Sequence, residues 1–467
     1  MHCFKVTALF KDIRFWILLF FVIRLFGITN APLETGHSWR QCFTNMVTRN
    51  LLEQSPNVLY PKVDILGNSS GVIGSEFPIF NYLNYLIAKL FGFQHWYGRL
   101  INLVFSSLGL LYFYKTINSI FNKEVAFNAT LVLTTSIWFA FSRKIMPDTF
   151  SVSLLFMGVY GGISYIKENK ISGLVAYFIF CTLGMLAKIP AIAIFSLSGF
   201  VVFLKEVPKR RRIVFTVVSV LCVMPVFTWY FVWVPYLAKT FGYNLYASKG
   251  MIQGLIEVKP HLDDLAEKFY FSATHSFLAT ICFFAGTYFF LRTQRGIWRW
   301  ALLTVAILLA MFIVKTGAIF PTHNYYIIPF VPVIALLAGY GISKVPKKYQ
   351  VVLLLVIGVE GIANQQHDFF VSPSEMYKLE LENIADKLIE QNELVIINGG
   401  KSPQDMYFSH RKGWSVNSQF MRNESRLDSL QSLGAKFIVI NKNNGLKNLS
   451  FRKKVFDNEN YTIYKLD

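Results

Sequence analysis

Long apolar stretches alternate with short charged ones along most of the chain. A spanning helix needs about 20 apolar residues. Stretches of that kind lie at Ile13–Thr29, Gly98–Phe121, Val125–Phe141, Thr149–Ile166, Ile171–Leu186, Ile189–Leu204, Ile213–Val234, Ser276–Leu291, Trp298–Val314, Tyr325–Ile342 and Val351–Ala363. The pattern predicts an α-helical multi-pass membrane protein with about eleven transmembrane helices. The links between them alternate in charge. One set carries Lys5, Lys11 and Arg14; Lys115 and Lys123; Lys167 and Lys170; Lys205, Lys209, Arg210, Arg211 and Arg212; Arg292, Arg295 and Arg299; and Lys344, Lys347 and Lys348. The short links of the other set hold only Arg143, Lys144, Lys188 and Lys315. Basic links stay cytoplasmic, which places the N-terminus inside. An odd number of spans then puts the first long loop and the C-terminal segment outside.

Three outer segments depart from the apolar pattern. The first loop, Leu33–Tyr82, runs from LETGHSWRQ to SEFPIFNYL. It contains two amphipathic helix patterns, His37–Glu53 and Phe77–Phe91, of the kind that lie in a membrane interface. The second segment, Pro235–His275, holds LYASKGMIQG and a polar helix pattern at His261–Lys268. From Asn364 onward the chain turns polar. Helix patterns at Glu380–Gln391 and Arg426–Leu433 alternate with strand patterns at Glu393–Asn398, Lys436–Asn441 and Tyr461–Lys465. This predicts a small C-terminal α/β extracytoplasmic domain over 364–467, following a transmembrane part over 1–363 whose first outer loop is 30–97.

Composition agrees with a membrane protein: 54% of residues are hydrophobic and 16% charged, with 45 Phe and 23 Tyr. The net charge of +19 would suit nucleic acid. Its clusters fall instead where topology places them, so no nucleic-acid partner is expected. The five cysteines, Cys3, Cys42, Cys181, Cys222 and Cys282, show no metal-ligand spacing. Most lie in apolar stretches and read as buried or lipid-facing thiols. No phosphate-cradling glycine loop is present, which argues against an ATP-driven pump. The first apolar stretch lacks a small-residue cleavage site and reads as an anchor.

Ionisable groups at membrane depth are costly, so those at outer helix ends are site candidates. They are Glu34, Glu76, Asp148, Arg143, Lys144, Lys188, Lys315 and His323, with Tyr325 and Tyr326 beside the last. Glu34 and Asp148 also fit plain helix starts, and Lys188 fits a snorkelling cation. Taken together, carboxylates can serve an incoming hydroxyl or amine as general base. Arg and Lys can hold a phosphate as it leaves. The mixture suits transfer of a sugar from a lipid phosphate to an acceptor outside the cytoplasm.

Several segments, in order, resemble the multi-spanning GT-C glycosyltransferases, in particular the ArnT-like and protein-mannosyltransferase-like branch. They are LETGHSWRQ, SEFPIFNYL, YGRLINLV, SRKIMPD, LGMLAKIPA, HNYYIIPFVPVIALLAG and HRKGW. The resemblance implies a GT-C fold, a polyprenyl-phosphate sugar donor, an active site in the first outer loop and inversion at the anomeric carbon. It places Glu34 at the loop's acidic position, where many relatives carry Asp. Asp148 and Glu76 match two further acidic positions. ArnT-like members follow the last with Lys; here Phe77 stands there, so phosphate contacts fall to Arg40, Arg143 or Lys188. In this reading Glu34 is the base or orienting carboxylate and Asp148 its partner. Glu76 positions a sugar, and His323 and Tyr326 line the donor pocket. No obligatory metal is expected. The setting implied is a bacterial inner membrane, with a glycan, lipid or protein acceptor. Two rivals remain: an O-antigen polymerase or ligase, and a lipid-linked glycan transporter. The first would favour an arginine-rich late outer loop, yet Pro235–His275 has no Arg. The second would favour charges deep in spans and related halves.

Overall fold

A computed structural model of the chain describes residues 9–245, 248–450 and 452–466. Cys3 and Lys5, and Tyr246 and Ala247 of LYASKGMIQG, lie outside the described residues. The chain divides into two compact units. A helical unit comprises Met1–Ile28, Arg99–Val232 and Tyr246–Phe369. A sheet unit comprises Thr29–Gly98, Trp233–Leu245 and Phe370–Asp467.

Among the described residues, four helices are long and apolar enough to cross a membrane: Tyr97–Ile120, Pro147–Glu168, Lys209–Phe241 and Ile297–Thr316. A fifth arises if Met251–Ser272 and Phe277–Thr293, bent by 91°, count as one span. The expectation of eleven is therefore corrected, for reasons that lie in local structure. Asn122 caps Lys123–Thr135 and Ser136 ends it, leaving 13 residues. The stretch from Ile189 winds as a tight 3-10 helix over Ser196–Phe203. Another 3-10 turn, Asn324–Ile327, precedes Val331–Ile342 and takes up the start of that apolar run. Apolar length in the sequence thus exceeds unbroken helix in the fold.

Small residues draw the helices of this unit together. Gly161 of Pro147–Glu168 faces Gly173 of Ile171–Ala187; a Cβ on Gly161 would sit 2.6 Å from the Gly173 carbonyl oxygen, and the reverse holds at 2.5 Å. Only glycine allows that approach. Cys181, Cys222 and Cys282 are buried here as free thiols, as is Cys42 in the sheet unit.

The sheet unit is built on five strands in the order β2-β1-β3-β5-β4. They are β1 Leu394–Ile397, β2 Lys412–Ser415, β3 Ala435–Asn441, β4 Lys454–Asp457 and β5 Tyr461–Lys465. β1 pairs in parallel with β2 and β3, while β5 runs antiparallel to β3 and β4. The expected helices and three expected strands appear, at Glu380–Leu388, Glu424–Ser432, β1, β3 and β5. β2 and β4 escaped the sequence pattern because KGWS and the mostly exposed KVFD lack an apolar run, whereas the equally short β1 is the continuous apolar run LVII.

The first loop folds into this unit. Cys42, Phe43, Met46, Val47 and Leu51 of the Ser38–Glu53 helix pack with Leu381, Val395, Met406, Tyr407, Phe437 and Ile463. Twelve consecutive residues, Arg40–Leu51, are buried. The expectation of an interfacial helix is corrected here, because this face meets protein rather than lipid. The Ile79–Phe91 helix differs, since Leu86, Leu90 and Phe91 remain exposed.

A second stretch of the loop lies on the edge of β2. Leu66 bridges Trp414, Gly67 N–H donates to the Gly413 carbonyl at 2.7 Å, and Gly413 N–H donates to the Asp64 carbonyl at 2.9 Å. Gly67 sits at φ +61°, and any Cβ there would collide with the Trp414 indole. Gly67→Ala should therefore detach the loop from β2, which limited proteolysis would report as new cleavage between Lys62 and Val72.

HRKGW acts as a second clasp. His410 Nδ1 lies 3.0 Å from Glu382 Oε1, and its Nε2 lies 3.0 Å from Glu53 Oε1. These carboxylates raise the imidazole pKa from 6.5 to about 9. A raised folded-state pKa gives stability that is complete below the unfolded value and fades as pH climbs through about 9. That contribution is at most about 3 kcal/mol. The melting temperature should fall between about pH 7 and pH 10, and His410→Gln should flatten that slope.

Candidate active site

In the helical unit, one buried asparagine shapes the turn that bears the charges. Asn102 Nδ2 donates to the carbonyls of Phe141 at 3.0 Å, Lys144 at 2.8 Å and Met146 at 3.2 Å. Its Oδ1 accepts from Ser106 and Thr149 hydroxyls, each at 2.9 Å. The SRKIMPD turn is thus fixed by a side chain from the Tyr97–Ile120 helix. Pro147 then opens the next helix and places Asp148 in its first turn, where the helix dipole favours a negative charge.

Asp148 is buried, and Lys188 Nζ lies 3.6 Å from its Oδ1. Lys188 caps the Ile171–Ala187 helix in extended conformation, and its ammonium is 5.7 Å from the Tyr325 ring centre. Beside them, Arg143 stacks its guanidinium 4.2 Å from the Phe369 ring centre. Lys144 pairs with Asp368 at 3.1 Å. His323 and Tyr326 come from one turn with ring centres 6.1 Å apart, and the Tyr325 ring lies tilted beside Tyr326 at 4.7 Å. The fold therefore joins Asp148, Lys188 and Tyr325 directly, and sets Arg143 and Lys144 on the same turn as Asp148.

The sheet unit holds the other candidates. Glu34 is buried, its backbone bridged to Val371. Arg40 and Glu76 form a buried ion pair, with the Arg40 guanidinium also 5.5 Å from the Phe43 ring centre. Asn81 Nδ2 donates to the Thr44 carbonyl at 2.6 Å and ties the two loop helices together. One turn along, Arg49 pairs with buried Asp64 at 3.5 Å and donates to the Tyr407 carbonyl at 3.1 Å. Burial pushes the Asp64 carboxyl up, against the pull of Arg49 and Asn50.

Three buried polar features carry no clear mark in the sequence pattern: Asn102, the Lys144–Asp368 pair and Lys268, which is bonded to Asn324. Asn102 looked like one polar residue within an apolar run, and its isolation there was the available signal. Among the described residues, no group of three His, Cys, Asp or Glu side chains is placed to hold a metal ion.

This architecture of apolar helices, with buried charge at helix ends and a sheet unit built around the first loop, is a GT-C fold. Residues 75–231 match the family described as dolichyl-phosphate-mannose-protein mannosyltransferase. No curated protein sequence matches the chain. Among solved structures, it is similar to ArnT from Cupriavidus metallidurans bound to undecaprenyl phosphate, with a TM-score of 0.65 at 13% identity over 96% of this chain and 98% of that one. The same enzyme in its apo state gives a TM-score of 0.62 at 12% identity, over 96% and 97%. The archaeal oligosaccharyltransferase AglB from Archaeoglobus fulgidus, in complex with an inhibitory peptide and a dolichol-phosphate, gives 0.56 at 14% identity, over 91% and 69%. The resemblance drawn from the short motifs thus extends to the fold of nearly the whole chain.

Asn102→Ala would remove the donor shared by three carbonyls of the SRKIMPD turn. The loss should cost about 2–3 kcal/mol. It should appear as a lower melting temperature in detergent, whereas Ser106→Ala, which removes one bond to Asn102, should have the smaller effect.

Proposed function

We propose that the chain is a membrane glycosyltransferase that moves a sugar from a polyprenyl-phosphate donor to an extracytoplasmic acceptor. The observation that carries this reading is the buried Asp148–Lys188 pair beside the turn that bears Arg143 and Lys144, in a GT-C fold. Support comes also from the similar ArnT, solved with undecaprenyl phosphate, and from AglB, solved with a dolichol-phosphate. A buried cluster of cations with carboxylates is what a lipid phosphate and a hydroxyl acceptor would require together.

In this reading the acceptor oxygen attacks the anomeric carbon from the face opposite the phosphate. The new C–O bond forms as the C–O bond to phosphate breaks, and the bonding pair leaves with the polyprenyl phosphate. The acceptor proton passes to a carboxylate, for which Glu34 is the candidate. Asp148 serves as an orienting carboxylate, its charge kept in place by Lys188. Lys188, Arg143 and Arg40 are the candidates for the phosphate, Glu76 for positioning a sugar, and His323 and Tyr326 for lining the donor pocket. The scheme uses no metal. We further infer a bacterial inner-membrane setting. The N-terminus would be cytoplasmic and the sheet unit extracytoplasmic.

The test is transfer in proteoliposomes supplied with pooled lipid-phosphate sugars. Glu34→Gln and Asp148→Asn should each lower transfer by about 100-fold or more, the scale of a general base or a buried electrostatic group. Both proteins should still insert. Full activity in Glu34→Gln would sink the base assignment. Transfer should also persist in EDTA, and its abolition would contradict the metal-free scheme.

A further inference from the structure

An open, arginine-lined cavity lies in the helical unit at the turn joining Phe277–Thr293 to Ile297–Thr316. It measures about 530 Å³ and is lined by Tyr288, Leu291, Arg292, Arg295 and Arg299. Three guanidinium groups share the space and, among the described residues, no carboxylate lines it. The chain reverses here through Gly296, at φ +60°.

Two of the arginines are held in place. Arg299 Nη2 donates to the Leu291 carbonyl at 2.6 Å and its Nε to the Gln294 carbonyl at 3.1 Å, which caps the end of the first helix. Arg292 lies 5.1 Å from the Tyr288 ring centre. Like charges gathered this way repel one another, and a multivalent anion relieves that repulsion with charge-assisted hydrogen bonds.

The surface leading away from the cavity identifies the anion's carrier. Ile281, Phe284 and Tyr288 form one exposed stripe at helical spacing, and Trp300, Leu303 and Ile307 form another on the following helix. Both stripes belong to helices apolar enough to contribute to membrane spans. A soluble anion has no use for such walls, but lipid chains do. The positive charge also falls in a link that the charge rule assigns to the cytoplasmic side, where anionic lipids meet basic pockets between helices.

We propose that this cavity binds the phosphate headgroup of an anionic glycerophospholipid, whose acyl chains lie along the two exposed stripes. The site is independent of the glycosyl-transfer residues and does not rest on that assignment.

The experiment uses the full chain in detergent, with phosphatidylglycerol and phosphatidylcholine of matched chains, read by native mass spectrometry. Wild type should retain phosphatidylglycerol over phosphatidylcholine by about tenfold, as expected for a few arginines near a lipid surface. The double variant Arg292→Gln/Arg295→Gln should lose that preference, and Arg299 is left intact because it caps the helix. Lys344→Gln, outside the cavity lining, should keep it. A variant that melts with wild type in phosphatidylcholine confirms intact folding. Equal retention of both lipids by wild type, or an equal loss in Lys344→Gln, would overturn the proposal. So would inorganic phosphate alone raising the melting temperature as much as phosphatidylglycerol, which would make this a free-anion site.

Discussion

An ionised group removed from water must find a partner, and that constraint organises both units. In the helical unit it joins Asp148 to Lys188 and Lys144 to Asp368. In the sheet unit it joins Arg40 to Glu76 and Arg49 to Asp64. Each pair includes at least one residue from a turn or a helix end. The charges therefore fix the conformation of irregular segments that an apolar core alone would leave loose. Breaking one partner of such a pair strands the other, at a cost of about 3–5 kcal/mol. This degree of order suits groups that must meet a substrate without rearranging.

The first loop shows how the constraint works along a chain. The Ser38–Glu53 helix is polar on average yet almost wholly buried. Its apolar positions fill the core beside β1 and β3, while Asn45, Arg49 and Asn50 spend their donors on Tyr407, Asp64 and the backbone. Tyr407 collects four contacts: Asn45 and His95 bond its hydroxyl, and Arg49 donates to its carbonyl and stacks on its ring at 4.9 Å. The loop and the C-terminal sheet thus form one folding unit, although more than 270 residues separate them in sequence.

Much of this could be read beforehand. The apolar runs and the motif order led to the fold, and the alternating strands of the tail located β1, β3 and β5 within a residue or two. The buried state of Ser38–Glu53 was not legible, since a helix with Trp39, Phe43 and Met46 on one side looks the same whether that side meets lipid or a sheet. The number of long helices was overread for a related reason: apolar composition does not register the capping by Asn122 or the 3-10 winding at Ser196–Phe203. Residue types and helix-end positions singled out Asp148 and Lys188. Asn102 could not be singled out, because its importance lies in three carbonyls that approach it only in the folded chain.

In the proposed reaction these buried charges serve a lipid monophosphate as leaving group. The most direct measurement is the identity of the lipid product after turnover in sealed proteoliposomes, determined by mass spectrometry of the extracted lipid. Free polyprenyl monophosphate should accumulate in step with sugar appearing on the acceptor. Accumulation of polyprenyl diphosphate would point to a polymerase or ligase, and an intact lipid-linked sugar recovered in the opposite leaflet would point to a transporter. Either result would rule out transfer from a lipid monophosphate.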